Sequence, residues 1–130
     1  MKKQLKLQLL DEKFCISKLA QFAEIPSVIT KGEMCFVIRT DEELAVISPE
    51  FMAPTNVQQE TGWRCLRVET PSQLHEVGVI ASLAAPLADA GVAIFLVSTF
   101  NTDYVFVAEE DLVKATQALQ QAGHEFVHAE

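Results

Sequence analysis

Apolar and polar positions alternate with two different periods along this chain, and the change from one to the other is clearest after residue 62. Trp63–Glu69 is rich in β-formers and free of Gly and Pro, which predicts a strand. Val77, Ile80, Ala81, Ala84, Leu87 and Ala88 then recur at helical spacing, predicting a helix over Val77–Ala90 that Pro86 kinks and Gly91 ends. Val92–Val97 is a continuous apolar run, as a central strand covered by helices requires. Ser98–Thr102 reads as a turn and Asp103–Ala108 as another strand. Glu109–Ala122 is the strongest helix: three acidic residues occupy its first turn, Leu112, Ala115, Thr116 and Leu119 line one face, and Gly123 follows. His124–His128 closes the set as a strand. The order is βαββαβ, the split βαβ of ferredoxin-like folds, from which an antiparallel sheet with both helices on one face follows.

The first half repeats this pattern in eroded form. Leu5, Leu7 and Leu9 alternate with Lys6 and Gln8, predicting a half-exposed strand that Phe14–Ser17 continues. Lys18–Glu24 reads as a short helix before Ile25 and Pro26, and the stretch 49–61, with two prolines, leaves room only for a turn. A gapless self-match at a spacing of 59 lays Phe36–Leu44 on Phe95–Asp103 and Gln4–Leu10 on Trp63–Glu69. The agreement is of pattern rather than identity, and it points to duplication. The expectation is an α+β chain of two fused ferredoxin-like units with about seven strands. The degenerate unit covers residues 1–61 and the complete one residues 62–130, with the strand Trp63–Glu69 closing one and opening the other.

Composition narrows the function. The 130 residues are 49% hydrophobic and 22% charged, an ordinary globular balance, and a unit of about 60 residues is marginal alone, so two such units should pack together. A net charge of −8, with ten basic residues spread along the chain, offers no phosphate-binding face and disfavours nucleic acid and anionic membranes. The uncharged stretch Val77–Leu87 is too short to span a bilayer, and Lys6, Gln8, Asp11 and Glu12 break up any secretory leader. Cys15, Cys35 and Cys65 sit in separate apolar runs and read as reduced thiols of a cytoplasmic protein.

Ligand chemistry in a ferredoxin-like unit gathers at the loop from the first strand into the first helix, here Thr70–Gly78, with the turn Thr99–Asp103 as its expected neighbour. The residues there carry a resemblance. Glu76, Val77 and Gly78, then Ala81 and Ser82, Pro86–Gly91, and Ser98–Tyr104 resemble the ACT family, which includes small bacterial tandem-ACT proteins and the cytosolic arginine sensors called CASTOR. Glu60–Arg64 adds to the likeness, and Arg39–Leu44 extends it loosely into the first half. The resemblance implies a non-catalytic regulatory module that binds an amino acid between ACT units and needs no cofactor. By position, it implies ligand contacts from Glu76, Val77, Gly78, Thr99, Phe100 and Asp103. It also makes a homodimer a partner to look for.

The chemistry of those residues agrees. A glycine where a helix begins lets a ligand approach backbone amides that suit a carboxylate, while Glu76 and Asp103 suit an ammonium or guanidinium, so a cationic amino acid such as arginine is the first to consider. Each also has a purely structural reading: close helix–sheet packing for Gly78, turn amides for Asp103, a solvated charge for Glu76. Phe100, an aromatic on a polar turn, is expected to cover something, and Trp63 to lie in the core. Other chemistries lack their residues. No Cys-x-x-Cys exists, His124 and His128 have no cysteine pair to complete a zinc site, and Cys65 beside Arg64 is the one thiol with a basic neighbour. A ligand-free dimerisation module and a ferredoxin-like enzyme are the alternative functions.

Overall fold

The computed structural model describes residues 4–69 and 77–127. Its first half contains β1 (Lys6–Leu19), α1 (Ser27–Thr30), β2 (Phe36–Arg39), β3 (Leu44–Pro49) and β4 (Gln58–Val68). The second contains α2 (Val79–Asp89), β5 (Ile94–Ser98), β6 (Asp103–Ala108), α3 (Leu112–Gln121) and β7 (Glu125–Phe126). Contacts divide the chain into a composite unit, Met1–Asp11 with Arg64–Glu130, and an inserted unit, Glu12–Trp63. The second cut falls inside β4. The first cut falls inside β1, so the opening residues belong with the end of the chain.

The composite unit has the strand order β7-β1-β4-β6-β5. Leu5 and Leu7, Leu66 and Val68, and Val105 and Val107 project from one face of these strands into a single apolar cluster. From above, α2 supplies Val79, Leu83 and Leu87 at four-residue intervals, and α3 supplies Ala115 and Leu119. The expected antiparallel closing strand is corrected here. β7 pairs in parallel with the first part of β1, Lys6 opposite Glu125 and Leu7 opposite Phe126, because β1 lies between it and β4.

The inserted unit has β2-β3-β1, with β4 next to β1. Leu19, Ile29, Leu44 and Val46 form its own small cluster. Two further expectations are corrected. Lys18 and Leu19 end a strand, opposite Ala45 and Leu44, rather than opening a helix. The helix begins at Ser27, where Pro26 fixes φ at −53° and has no N–H to lose. The strand that flanks the hairpin is Phe14–Leu19, so the spacing of 59 does not extend to Gln4–Leu10.

Elsewhere the spacing holds residue for residue. Phe36–Arg39 pairs with Leu44–Ile47 in the register in which Phe95–Ser98 pairs with Asp103–Phe106. A one-turn 3-10 segment follows each hairpin, at Glu50–Met52 and Glu109–Asp111. Both helices end alike: the Lys31 amide donates to Ser27 and Gly32 to Ile29, as Ala90 donates to Pro86 and Gly91 to Ala88. Erosion has therefore removed the front of one helix and the whole of another while leaving the hairpin intact.

Pro86 lies inside α2 and cannot donate to the carbonyl of Ser82, four residues earlier. His124 makes good the loss. Its Nε2 lies 2.7 Å from that carbonyl while Nδ1 lies 3.1 Å from the Leu5 amide, so the ring accepts from β1 and donates to α2. Nothing in the local sequence reveals this brace.

Candidate functional site

The β5–β6 turn is built around Thr99. Its amide and hydroxyl both donate to the Thr102 carbonyl, at 2.8 and 3.1 Å, and its hydroxyl oxygen accepts from the Thr102 amide at 3.3 Å. Thr102 in turn donates its hydroxyl to the Val68 carbonyl at 2.6 Å. The turn is thereby fastened to the end of β4, where the chain departs toward α2. The loop Thr70–Gly78, the expected neighbour of the turn, lies outside the described residues except for Val77 and Gly78.

Asp103 opens β6 on the same side as Val105 and Val107, facing the helices. It is 8% exposed, and its Oδ1 accepts the Ser98 hydroxyl from the opposite strand at 2.5 Å. The turn amides are served by Thr99, so the structural reading of Asp103 as a turn cap does not apply. Gly78 caps α2 at φ +89°, and among the described residues no side chain caps the helix. That conformation favours glycine and leaves the amides open to an anion. Val77 and Phe100 are exposed, 85% and 84%, so Phe100 is not covered among the described residues. Glu76 lies outside the described residues, as does His128. The structure thus gathers Thr99, Phe100 and Asp103 on one turn and sets Val77 and Gly78 at the head of α2.

A groove of about 570 Å³ lies elsewhere on the composite unit, between α2 and α3. Ala81, Ala85, Ala118 and Ala122 wall it, with Asp89, Gln121 and the braced His124, and of the expected residues it takes in Gly78 alone. Its polar members are few and His124 is committed at both nitrogens, so the turn around Asp103 is the better-equipped place for a charged ligand.

Metal and thiol chemistry find little support. Among the described residues no group of three or more His, Cys, Asp or Glu side chains is placed to hold an ion. The three cysteines are free, and burial pushes the Cys65 thiol up to about 12, with Arg67 acting in the opposite direction. A thiol so protonated is a poor nucleophile. Among the described residues no helix is long and apolar enough to cross a membrane.

Comparison with known proteins agrees with this architecture. A family model for the ACT domain matches residues 58–121. The Cytosolic arginine sensor for mTORC1 subunit 1 of Homo sapiens is 35% identical over 60 residues, 45% of this chain and 18% of that protein, so the chain spans only a small part of its curated relatives. A crystal structure of an Agobacterium tumefaciens protein is 31% identical with a TM-score of 0.90, covering 98% of this chain and 96% of that one. The regulatory subunit of aspartate kinase from Thermus flavus shares the fold at 12% identity and a TM-score of 0.63, over 92% and 99% of the two chains. From the split βαβ order, the duplicated hairpin and these likenesses together, it follows that this chain belongs to the ACT-domain family.

Proposed function

We propose that this chain is a non-catalytic regulatory module that binds an amino acid at the β5–β6 turn of its composite unit. Asp103 receives the ligand's cationic group, the open amides at the head of α2 receive its carboxylate, and Glu76, Val77, Thr99 and Phe100 complete the surround. A cationic amino acid such as arginine is the first candidate, since Asp103 has no ion-pair partner among the described residues and Glu76 would add a second carboxylate. The ACT membership and the arginine-sensing relative support the ligand class. The module works in the cytoplasm and pairs with a second copy of itself; sedimentation as a monomer at high concentration would remove the pairing and leave the binding untouched.

One observation carries this reading. The duplicated hairpin is an internal control: with the same register and the same threonine-centred turn, the inserted unit places Leu44, fully buried, where the composite unit places Asp103. The inserted hairpin folds without a carboxylate at this position, and burying one is costly, which supports a role for Asp103 beyond the hairpin.

The test is a thermal-shift screen against the twenty amino acids. A ligand bound only by the native state at a hundred times its Kd adds about 2.7 kcal/mol, or roughly 5 to 15 °C in Tm. Asp103→Ala should abolish the shift and leave the fold. No shift with any amino acid favours a ligand-free structural module, and a shift that survives Asp103→Ala places the ligand elsewhere. Gly78 is a poorer probe, because at φ +89° a side chain strains the backbone whatever it does to a ligand.

A further inference from the structure

We infer that the inserted unit carries a closed copy of the same site, shut by its own side chains, so that each chain takes one amino acid rather than two. The inference rests on the reading above and concerns the unit that reading leaves out.

Three features close the turn of the inserted unit. Leu44 stands for Asp103 and packs with Leu19, Ile29 and Val46, so an apolar side chain fills that position. The front of the helix is missing: at the spacing of 59 Gly78 falls on Leu19 in β1, and α1, entered through Pro26 at φ −53°, has only four residues, too few to present a row of open amides. The third is a pair of bonds between the hairpin turn and the segment leaving β1. Arg39, the counterpart of Ser98, donates from Nε to the Gln21 carbonyl at 3.0 Å, and Gln21 donates from its side-chain amide to the Thr40 carbonyl at 2.9 Å. These reciprocal bonds clasp that segment to the turn.

The turn itself is unchanged: the Thr40 amide donates to Glu43 at 2.9 Å, and the Thr40 hydroxyl oxygen accepts from the Glu42 and Glu43 amides. The copy has thus kept its scaffold and lost the ligand-binding parts. In place of a mobile guest that bridges turn and loop, the inserted unit uses Gln21 and Arg39 as permanent occupants. Duplication followed by this exchange divides the labour between the units, one sensing and the other held in the closed form.

Isothermal titration calorimetry of the full chain with L-arginine, and with any other of the twenty amino acids that raises melting, reads the stoichiometry directly. The expected result is one equivalent per chain, lost in Asp103→Asn and unchanged, within twofold in Kd, in Arg39→Ala and in Gln21→Ala. Both of the latter positions are surface-accessible, so their variants should fold. Two equivalents per chain, or loss of binding in Arg39→Ala with retention in Asp103→Asn, would overturn the inference and keep amino-acid binding. Silence with all twenty would overturn the binding reading and this inference with it.

Discussion

Replacing Asp103 by leucine should make the protein more stable while removing its ligand response. The two side chains branch alike at Cγ, so leucine can occupy the carboxylate's volume without overpacking. The residue is 8% exposed and bonded to one hydroxyl among the described residues. Losing that charged hydrogen bond costs about 1.5–3 kcal/mol, but Ser98 is exposed and can turn to water, which puts the loss near the lower end. Against it stand about 1.5–3 kcal/mol for burying a leucine and a further 1–3 kcal/mol for no longer desolvating a polar group. One negative charge fewer on a chain of net −8 acts in the same direction. Taking the low end of each term, the balance is a gain of about 1 kcal/mol, which for a chain of this length raises Tm by roughly 3 to 5 °C. Urea denaturation followed by circular dichroism measures it, with the m-value required to stay constant so that the change belongs to the native state. A variant less stable than the parent would show that Asp103 holds the hairpin together, and the argument from the duplicated unit would fail.

The reverse exchange, Leu44→Asp, puts a carboxylate into an apolar cluster and should lower stability by about 3 kcal/mol in the same assay; a neutral result would mean that the cluster admits water. His124→Ala orphans the Ser82 carbonyl and the Leu5 amide together, at a cost of about 2–4 kcal/mol. Pro86→Ala restores an N–H to that carbonyl, so in a double-mutant cycle it should recover about 1 kcal/mol, and strict additivity would refute the brace. Cys65 has its thiol raised from 9.0 to about 12, so below pH 9 it is protonated in both states and its contribution to stability is complete. Above pH 9 the unfolded chain ionises first, and stability should fall by about 1.4 kcal/mol per pH unit until about pH 12. Cys65→Ala should flatten that stretch of the curve. In the native protein at pH 8, iodoacetamide should label the half-exposed Cys35 ahead of Cys15 and Cys65, as mass spectrometry of the digested chain would show.

Much of the fold was legible because its signals are local. The strand Asp103–Ala108 has the predicted ends, and α2 and β5 fall within two residues of theirs. In each case the side-chain period, a flanking glycine or a polar turn marks the element without help from distant residues. The repeat was visible for the same reason, since the hairpin and its turn carry their pattern within a dozen residues. The βαββαβ order then followed from connectivity.

What only the tertiary structure decided depends on partners far apart in the chain. Alternation in Leu5, Leu7 and Leu9 says that one face of β1 is buried, but the choice of β4 and β7 as neighbours is a competition among strands more than fifty residues away. The same competition drew Lys18 and Leu19 into a strand against Ala45 and Leu44 and moved the helix past Pro26. His124 looked like half of a pair with His128, whereas its role was set by a proline thirty-eight positions earlier that left a carbonyl without a donor. For Asp103 the sequence shows a polar residue at a turn, whereas its burial, its parity with Val105 and Val107 and its equivalence to Leu44 came only with the strand pairing. Sequence period reports which face of an element avoids water, whereas register, strand neighbours and the cost of a buried charge depend on what covers that face.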